Sequence, residues 1–201
     1  MADPIDNETF RQDDWYSEQF TARKYTDRAF YDVDLTEATI RGSTFTNCRF
    51  GNVQFNASKH VGSAYVGCSF VGCNFFDTAF TDCKLTGSSF ADCGLRPMHI
   101  NGGDWSFVSL GGADLVGNTF TDVRMREVDL SHAKCGRTSF TDVDLVAATL
   151  EGADFTKADL RGSDLPEFAP ESVNLTGALI PPEQTFFVAQ MLGLQIVERG
   201  Q

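Results

Sequence analysis

From Phe10 to Leu165 every fifth residue of this chain is apolar, and the register never slips. Of the 32 positions in that series 31 are apolar, with His60 the exception. Phe fills 13 of them, among others Phe30, Phe50, Phe70, Phe120 and Phe155. A chain that is 42% hydrophobic overall would fill well under half by chance, so the period reports the fold. Five is neither the 3.6 of an α-helix nor the 2 of an ordinary strand. It marks a repeat architecture in which short units stack.

A second column sharpens the reading. Two residues before each large position, from Val33 to Ser163, stand small residues such as Ala38, Ser43, Cys48, Val53 and Ser58. Only Met98 and Asn118 among these 27 positions are larger. The three remaining positions of each unit carry Asp, Asn, Thr, Gly, Arg and Lys. Two inward and three outward residues per unit predict a narrow square tube. Each unit forms one side, four units form a coil of 20 residues, and coils stack at about 4.8 Å, eight of them reaching roughly 38 Å. The small residue brings the walls close and the large one fills the lumen. Rings stacked from coil to coil are expected to dominate the core.

The segments Ala113-Asp114-Leu115, Ala153-Asp154-Phe155 and Ala158-Asp159-Leu160 resemble the A(D/N)LXX signature of the pentapeptide-repeat family. The resemblance implies an all-β solenoid, a right-handed quadrilateral β-helix, here followed by a short C-terminal helix. It covers residues 28–165, with the solenoid expected over 28–180. In the first units Glu8, Asp13, Glu18, Arg23 and Arg28 take the small inward position, where an unpaired charge cannot be buried. Residues 1–27 are therefore expected to form an irregular cap or an open first coil.

Residues 181–201 form the last expected unit. After Pro166-Glu167-Phe168-Ala169-Pro170 breaks the period, Pro181 and Pro182 can open a helix running to Leu192, and Gly193 stops it. Leu194 to Val197 reads as a short strand. So short a helix is marginal alone. Its apolar residues are expected to cover the end of the tube and to join a second chain. Phe186, Phe187, Met191, Leu192, Leu194 and Ile196 are the candidate dimerisation residues.

The six cysteines lie in the inward columns, Cys48, Cys68, Cys73, Cys83 and Cys93 in the small one and Cys135 in the large one. Parallel side chains on one wall do not reach disulfide torsion, so these read as free, buried thiols. No stretch is long and apolar enough to cross a membrane, and the first ten residues lack signal-peptide form, so a cytoplasmic protein is expected. Of the three histidines His60 is inward, while His99 and His132 lie on different walls. No nucleophilic triad, phosphate loop or zinc spacing is present, and a filled tube leaves no pocket. Neither an enzyme, a cofactor nor a metal is expected.

The net charge is −12, unevenly spread. Residues 38–128 are neutral overall, whereas residues 129–171 carry nine acids and four bases. Such an end repels nucleic acid and suits a basic partner. At a spacing of 20, Asp122 stacks near Asp142, Asp144 near Asp164 and Asp14 near Asp34. Within its family the chain is similar to the mycobacterial fluoroquinolone-resistance group, on Leu85-Thr86-Gly87-Ser88-Ser89-Phe90, Gly94-Leu95-Arg96-Pro97 and Leu175-Thr176-Gly177-Ala178. That resemblance implies a homodimeric DNA mimic that binds and inhibits DNA gyrase, with topoisomerase IV a second candidate partner. The candidate phosphate mimics are Asp129, Asp142, Asp144, Glu151, Asp154, Asp159, Asp164 and Glu167. A scaffold that binds some other basic protein surface fits the same charge pattern.

Overall fold

The computed structural model describes residues 9–197 of the chain. They form a four-walled parallel solenoid with one short helix at the C-terminal end. The first wall pairs Thr9–Arg11, Ala29–Tyr31, Arg49–Gly51, Ser69–Val71 and Ser89–Ala91. The second is a ladder of single bridges through Asp14, Asp34, Gln54, Asn74 and Gly94. The third takes one three- or four-residue strand from each of seven successive turns, Gln19–Thr21 to Ser139–Thr141. The fourth begins with Lys24–Thr26, Thr44–Thr46 and Ala64–Val66 and continues through Lys84, Asp104, Arg124, Asp144 and Asp164. Every paired residue lies 20 from its partner, as the period requires.

The large residues fill the lumen. Phe10, Phe30, Phe50, Phe70 and Phe90 make one continuous stack with centroids 4.8–4.9 Å apart. Rings on adjacent walls meet edge to face, as Phe45 and Phe50 do at 5.7 Å. Both arrangements suit the aromatic quadrupole and add to plain burial.

The small column does more than save space. At the corner after Ile40 the amide of Ser43 donates to Ser63 Oγ at 3.2 Å, and that hydroxyl donates to the Ile40 carbonyl at 3.1 Å. A side chain from the next turn thus stands in for the turn's own hydrogen bond. Ser88 does the same between Tyr65 and Cys68, Ser163 between Phe140 and Val143, and Asn118 between Leu95 and Met98. Asn118, one of the two oversized residues of the column, is fully buried because both ends of its amide are used. Other corners close with a direct bond, as from Ala38 N–H to the Leu35 carbonyl at 3.1 Å.

His60 interrupts the hydrocarbon series without breaking it. One ring nitrogen is 2.9 Å from Ser58 Oγ, the other 2.7 Å from the Tyr65 hydroxyl, and the ring stacks on Phe80. Burial holds its pKa down to about 3.

Regular pairing begins at Thr9, a full turn before the expected start at residue 28. The first turn tolerates charge in its small column because these side chains reach water: Glu18 and Arg23 are exposed. Residues 9–27, expected as an irregular cap or an open first coil, form a regularly paired turn, and residues 1–8 lie outside the described part. At the other end Pro166 interrupts the walls, and a 3-10 turn at Pro170–Ser172 replaces the first wall. Asn174 then rejoins the second wall against Asp154. Helix α1 spans Thr185–Met191. Gly193, at φ 73°, ends it with its N–H bonded to the Gln190 carbonyl and that of Leu194 to the Ala189 carbonyl. The strand expected at 194–197 is absent, because those residues pair with no wall.

The polar groups of the interior can be tested one at a time. Asn118→Ala leaves the Leu95 carbonyl and the Met98 amide buried and unpaired, so denaturant unfolding should show a loss of about 2–4 kcal/mol. Because folded His60 refuses a proton that the unfolded chain accepts near 6.5, its contribution is intact above that value. It is lost at about 1.4 kcal/mol per pH unit as pH falls from there towards 3. Unfolding at pH 7 and pH 5.5 should show this slope in the wild type, and His60→Phe should flatten it.

Candidate functional site

The solenoid sorts the eight candidate carboxylates onto different walls. Asp144 and Asp164 are bridged neighbours on the fourth wall. Asp142 occupies the corner between the third and fourth walls, and Glu167 follows the fourth wall's last rung. Asp129 and Glu151 belong to the first wall, Asp154 to the second and Asp159 to the third. Asp142, Asp144, Asp164 and Glu167 thus stand together, with the other four candidates distributed around the prism. The 20-residue spacing brings in further residues beyond those eight. Asp104 stands on the fourth wall two rungs before Asp144, Asp122 sits one turn before Asp142, and Glu127 lies at the far corner. Arg124 and Arg126 are the bases among them.

Several of these aspartates also have a structural task. An Asp one residue before the large position accepts a hydrogen bond from the backbone N–H two residues on, closing an Asx turn at the corner. Asp129 takes the Ser131 amide at 2.9 Å, Asp154 the Thr156 amide at 3.0 Å and Asp159 the Arg161 amide at 3.2 Å. The Thr156 hydroxyl also bonds Asp154 and holds its pKa below the usual value. Arg161 grips Asp159 with two nitrogens, and Arg126 pairs with Asp144. Asp122, Asp142 and Asp164 are exposed and carry no such bond. The Asp142 carboxylate leans over Gly162, which takes the left-handed corner conformation at φ 77°.

The candidate dimerisation residues divide as well. Gln184 donates its side-chain amide to the Ser163 carbonyl and seats α1 beside the last turn. Phe187 and Met191, with Glu167, Phe168 and Gln190, line a cavity of about 550 Å³ against that end. Phe186, Leu192, Leu194 and Ile196 face outward, with exposures of 63%, 58%, 58% and 48%. Among the described residues no group of three His, Cys, Asp or Glu is placed to hold a metal ion. No helix among them is long and apolar enough to cross a membrane.

Two family models match the chain, one for a pentapeptide repeat region over residues 43–120 and one for pentapeptide repeats in eight copies over residues 124–162. The chain belongs to the pentapeptide-repeat family. No curated protein matches it in sequence. Among solved structures it is similar to a trypsin-treated variant of QnrB1, a plasmid-mediated fluoroquinolone resistance protein, at 16% identity and a TM-score of 0.43 over 94% of this chain and 97% of that one. It is also similar to HetL, a pentapeptide-repeat protein involved in heterocyst differentiation regulation from the cyanobacterium Nostoc, at 18% identity and a TM-score of 0.42, covering 84% and 87%. A pentapeptide-repeat protein of the Arabidopsis thaliana thylakoid lumen gives 12% identity and a TM-score of 0.26, covering 91% and 76%. These likenesses concern the fold.

The division of labour among the aspartates is testable by thermal unfolding. Asp154→Ala removes a turn closure and should cost about 1 kcal/mol. Asp164→Asn removes only a screened surface charge and should stay within about 0.5 kcal/mol of the parent.

Proposed function

We propose that this protein is a DNA mimic that binds and inhibits DNA gyrase, in the manner implied by its resemblance to the mycobacterial fluoroquinolone-resistance protein MfpA, and that it works as a homodimer. The observation that carries this reading is axial charge density on a stiff scaffold. Residues 129–171 carry a net −5. They span about two turns, or roughly 10 Å of solenoid axis at the usual strand spacing. That is one net charge per roughly 2 Å, close to the one per about 1.7 Å of duplex DNA. The carboxylates stand on the walls of one rigid prism, so binding them costs little ordering entropy.

On this reading the fourth wall and its corner, with Asp122, Asp142, Asp144 and Asp164, present the charges to lysines and arginines of a gyrase DNA-binding surface. Topoisomerase IV, with a similar duplex-binding surface, is a second partner. The outward residues of the C-terminal segment, Phe186, Leu192, Leu194 and Ile196, join two copies. Joining them there places two net −5 segments on either side of the two-fold axis.

A supercoiling assay with purified gyrase tests the mimic. The parent protein should inhibit at micromolar concentration, less so as salt rises. Asp122→Asn, Asp142→Asn and Asp164→Asn combined should weaken inhibition at least tenfold with an unchanged circular dichroism spectrum. Undiminished inhibition by this variant rejects the mimic, and no inhibition by the parent favours a scaffold for another basic protein. Sedimentation tests the dimer independently: Leu192→Glu should yield monomers, and a parent already monomeric at micromolar concentration removes the two-fold arrangement.

A further inference from the structure

Cys73 and Cys93 occupy the small column at the same corner of two consecutive turns. The backbone fixes their offset, because Gly94 N–H donates to the Cys73 carbonyl at 2.9 Å and Asn74 is bridged to Gly94. Each thiol is also anchored in the same way to the turn before its own. Cys73 Sγ lies 3.4 Å from the Phe50 carbonyl oxygen and Cys93 Sγ 3.5 Å from that of Phe70. The rings of Phe50, Phe70 and Phe90 repeat every 4.8 Å. The two sulfurs are thus related by one turn of the solenoid and project in parallel, each held by carbonyl oxygens.

Parallel thiols one turn apart are poorly disposed for a disulfide, which needs sulfurs about 2.05 Å apart and a torsion near a right angle. They match a different bond. Taking the zinc–thiolate distance of about 2.3 Å as a guide, the two sulfurs of a linear S–metal–S unit stand about 4.6 Å apart, almost the solenoid repeat. Soft thiolates select soft monovalent ions such as copper(I). We propose that Cys73 and Cys93 form a two-coordinate site for a soft d10 cation, copper(I) or its analogue silver(I), clipping two adjacent turns together.

The corner admits such an ion. Cys93 is half-buried, whereas Cys73 behind it is closed. The exposed Asp92 carboxylate stands beside the opening and attracts a cation. Binding is an exchange without redox change: two S–H bonds break, two metal–sulfur bonds form, and two protons leave to solvent. Cys48 and Cys68 repeat the arrangement one corner back but are both fully buried. They serve as an internal control, since the same spacing without an opening should not load.

Silver(I) titration of the reduced, folded protein under nitrogen, with a small monothiol as competitor, tests the site. The expected result is one ion per chain, a near-ultraviolet thiolate-to-metal band and two protons released per ion. Bound silver should also slow alkylation of Cys93 by iodoacetamide at least tenfold, a readout that needs no variant. Cys93→Ser should abolish the band, and Cys68→Ser should keep it. The site is overturned if Cys93→Ser retains full binding, if loading requires denaturant, or if alkylation of Cys93 is unaffected by silver.

Discussion

The hydrogen bond that holds this molecule in one register is the one a corner makes with the following turn. Each corner must satisfy a carbonyl and an amide at the edge of a lumen filled by apolar side chains. Ser63, Ser88, Asn118 and Ser163 do so by inserting a side-chain oxygen or amide between the two groups of the preceding turn. Such a bond exists only when the turns are aligned 20 residues apart. A slip of one unit would set a wrong side chain at every corner as well as misalign the ring stacks. The apolar column supplies most of the cohesion, and the corner bonds specify the register.

That distinction separates what the amino-acid order reveals from what it hides. The five-residue period of Phe30, Leu35, Ile40 and their successors fixes a four-walled prism, because burial of one large residue per unit is a repeated, local demand. The small column is legible as a matter of volume, but its chemistry is not. Ser, Thr, Cys and Asn are chosen there for donors and acceptors that only the neighbouring turn reveals. The ends are harder still. Arg23 and Glu18 look prohibitive by column, yet in the first turn both are exposed to water. Leu194–Val197 has strand composition, but no wall edge stands where it could pair.

The candidate site shows the same limit. Counting acids along residues 129–171 gives their density but not their direction. Asp129, Asp154 and Asp159 point along three different walls and are tied to their own turns. Their presence follows from the repeat's need for an Asx turn, which explains why Asn74 and Asn174 take the same position with the same bond. Asp122 and Asp142 lie outside that role but stand at left-handed corners, φ 55° at each, a conformation Asp tolerates, whereas Asp164 makes no turn bond. The 20-residue alignment of Asp122 with Asp142 and of Asp144 with Asp164 is plain from residue numbers alone.

Direct neighbours of like charge are a net cost to a parallel ladder, though a modest one in water. The Asp144–Asp164 rung and the Asp122–Asp142 corner both carry that cost, although Gly, as at Gly162 one turn on, also suits the left-handed corner. Arg126 offsets part of it by pairing with Asp144, and among the described residues no comparable base pairs with Asp164 or Asp142. A stack of ring and corner bonds as regular as this one tolerates the repulsion without distortion, so its register still fixes where the charges stand. Rigidity and unneutralised charge therefore come from the same source: a core strong enough that the surface is free to be shaped by a partner and not by folding.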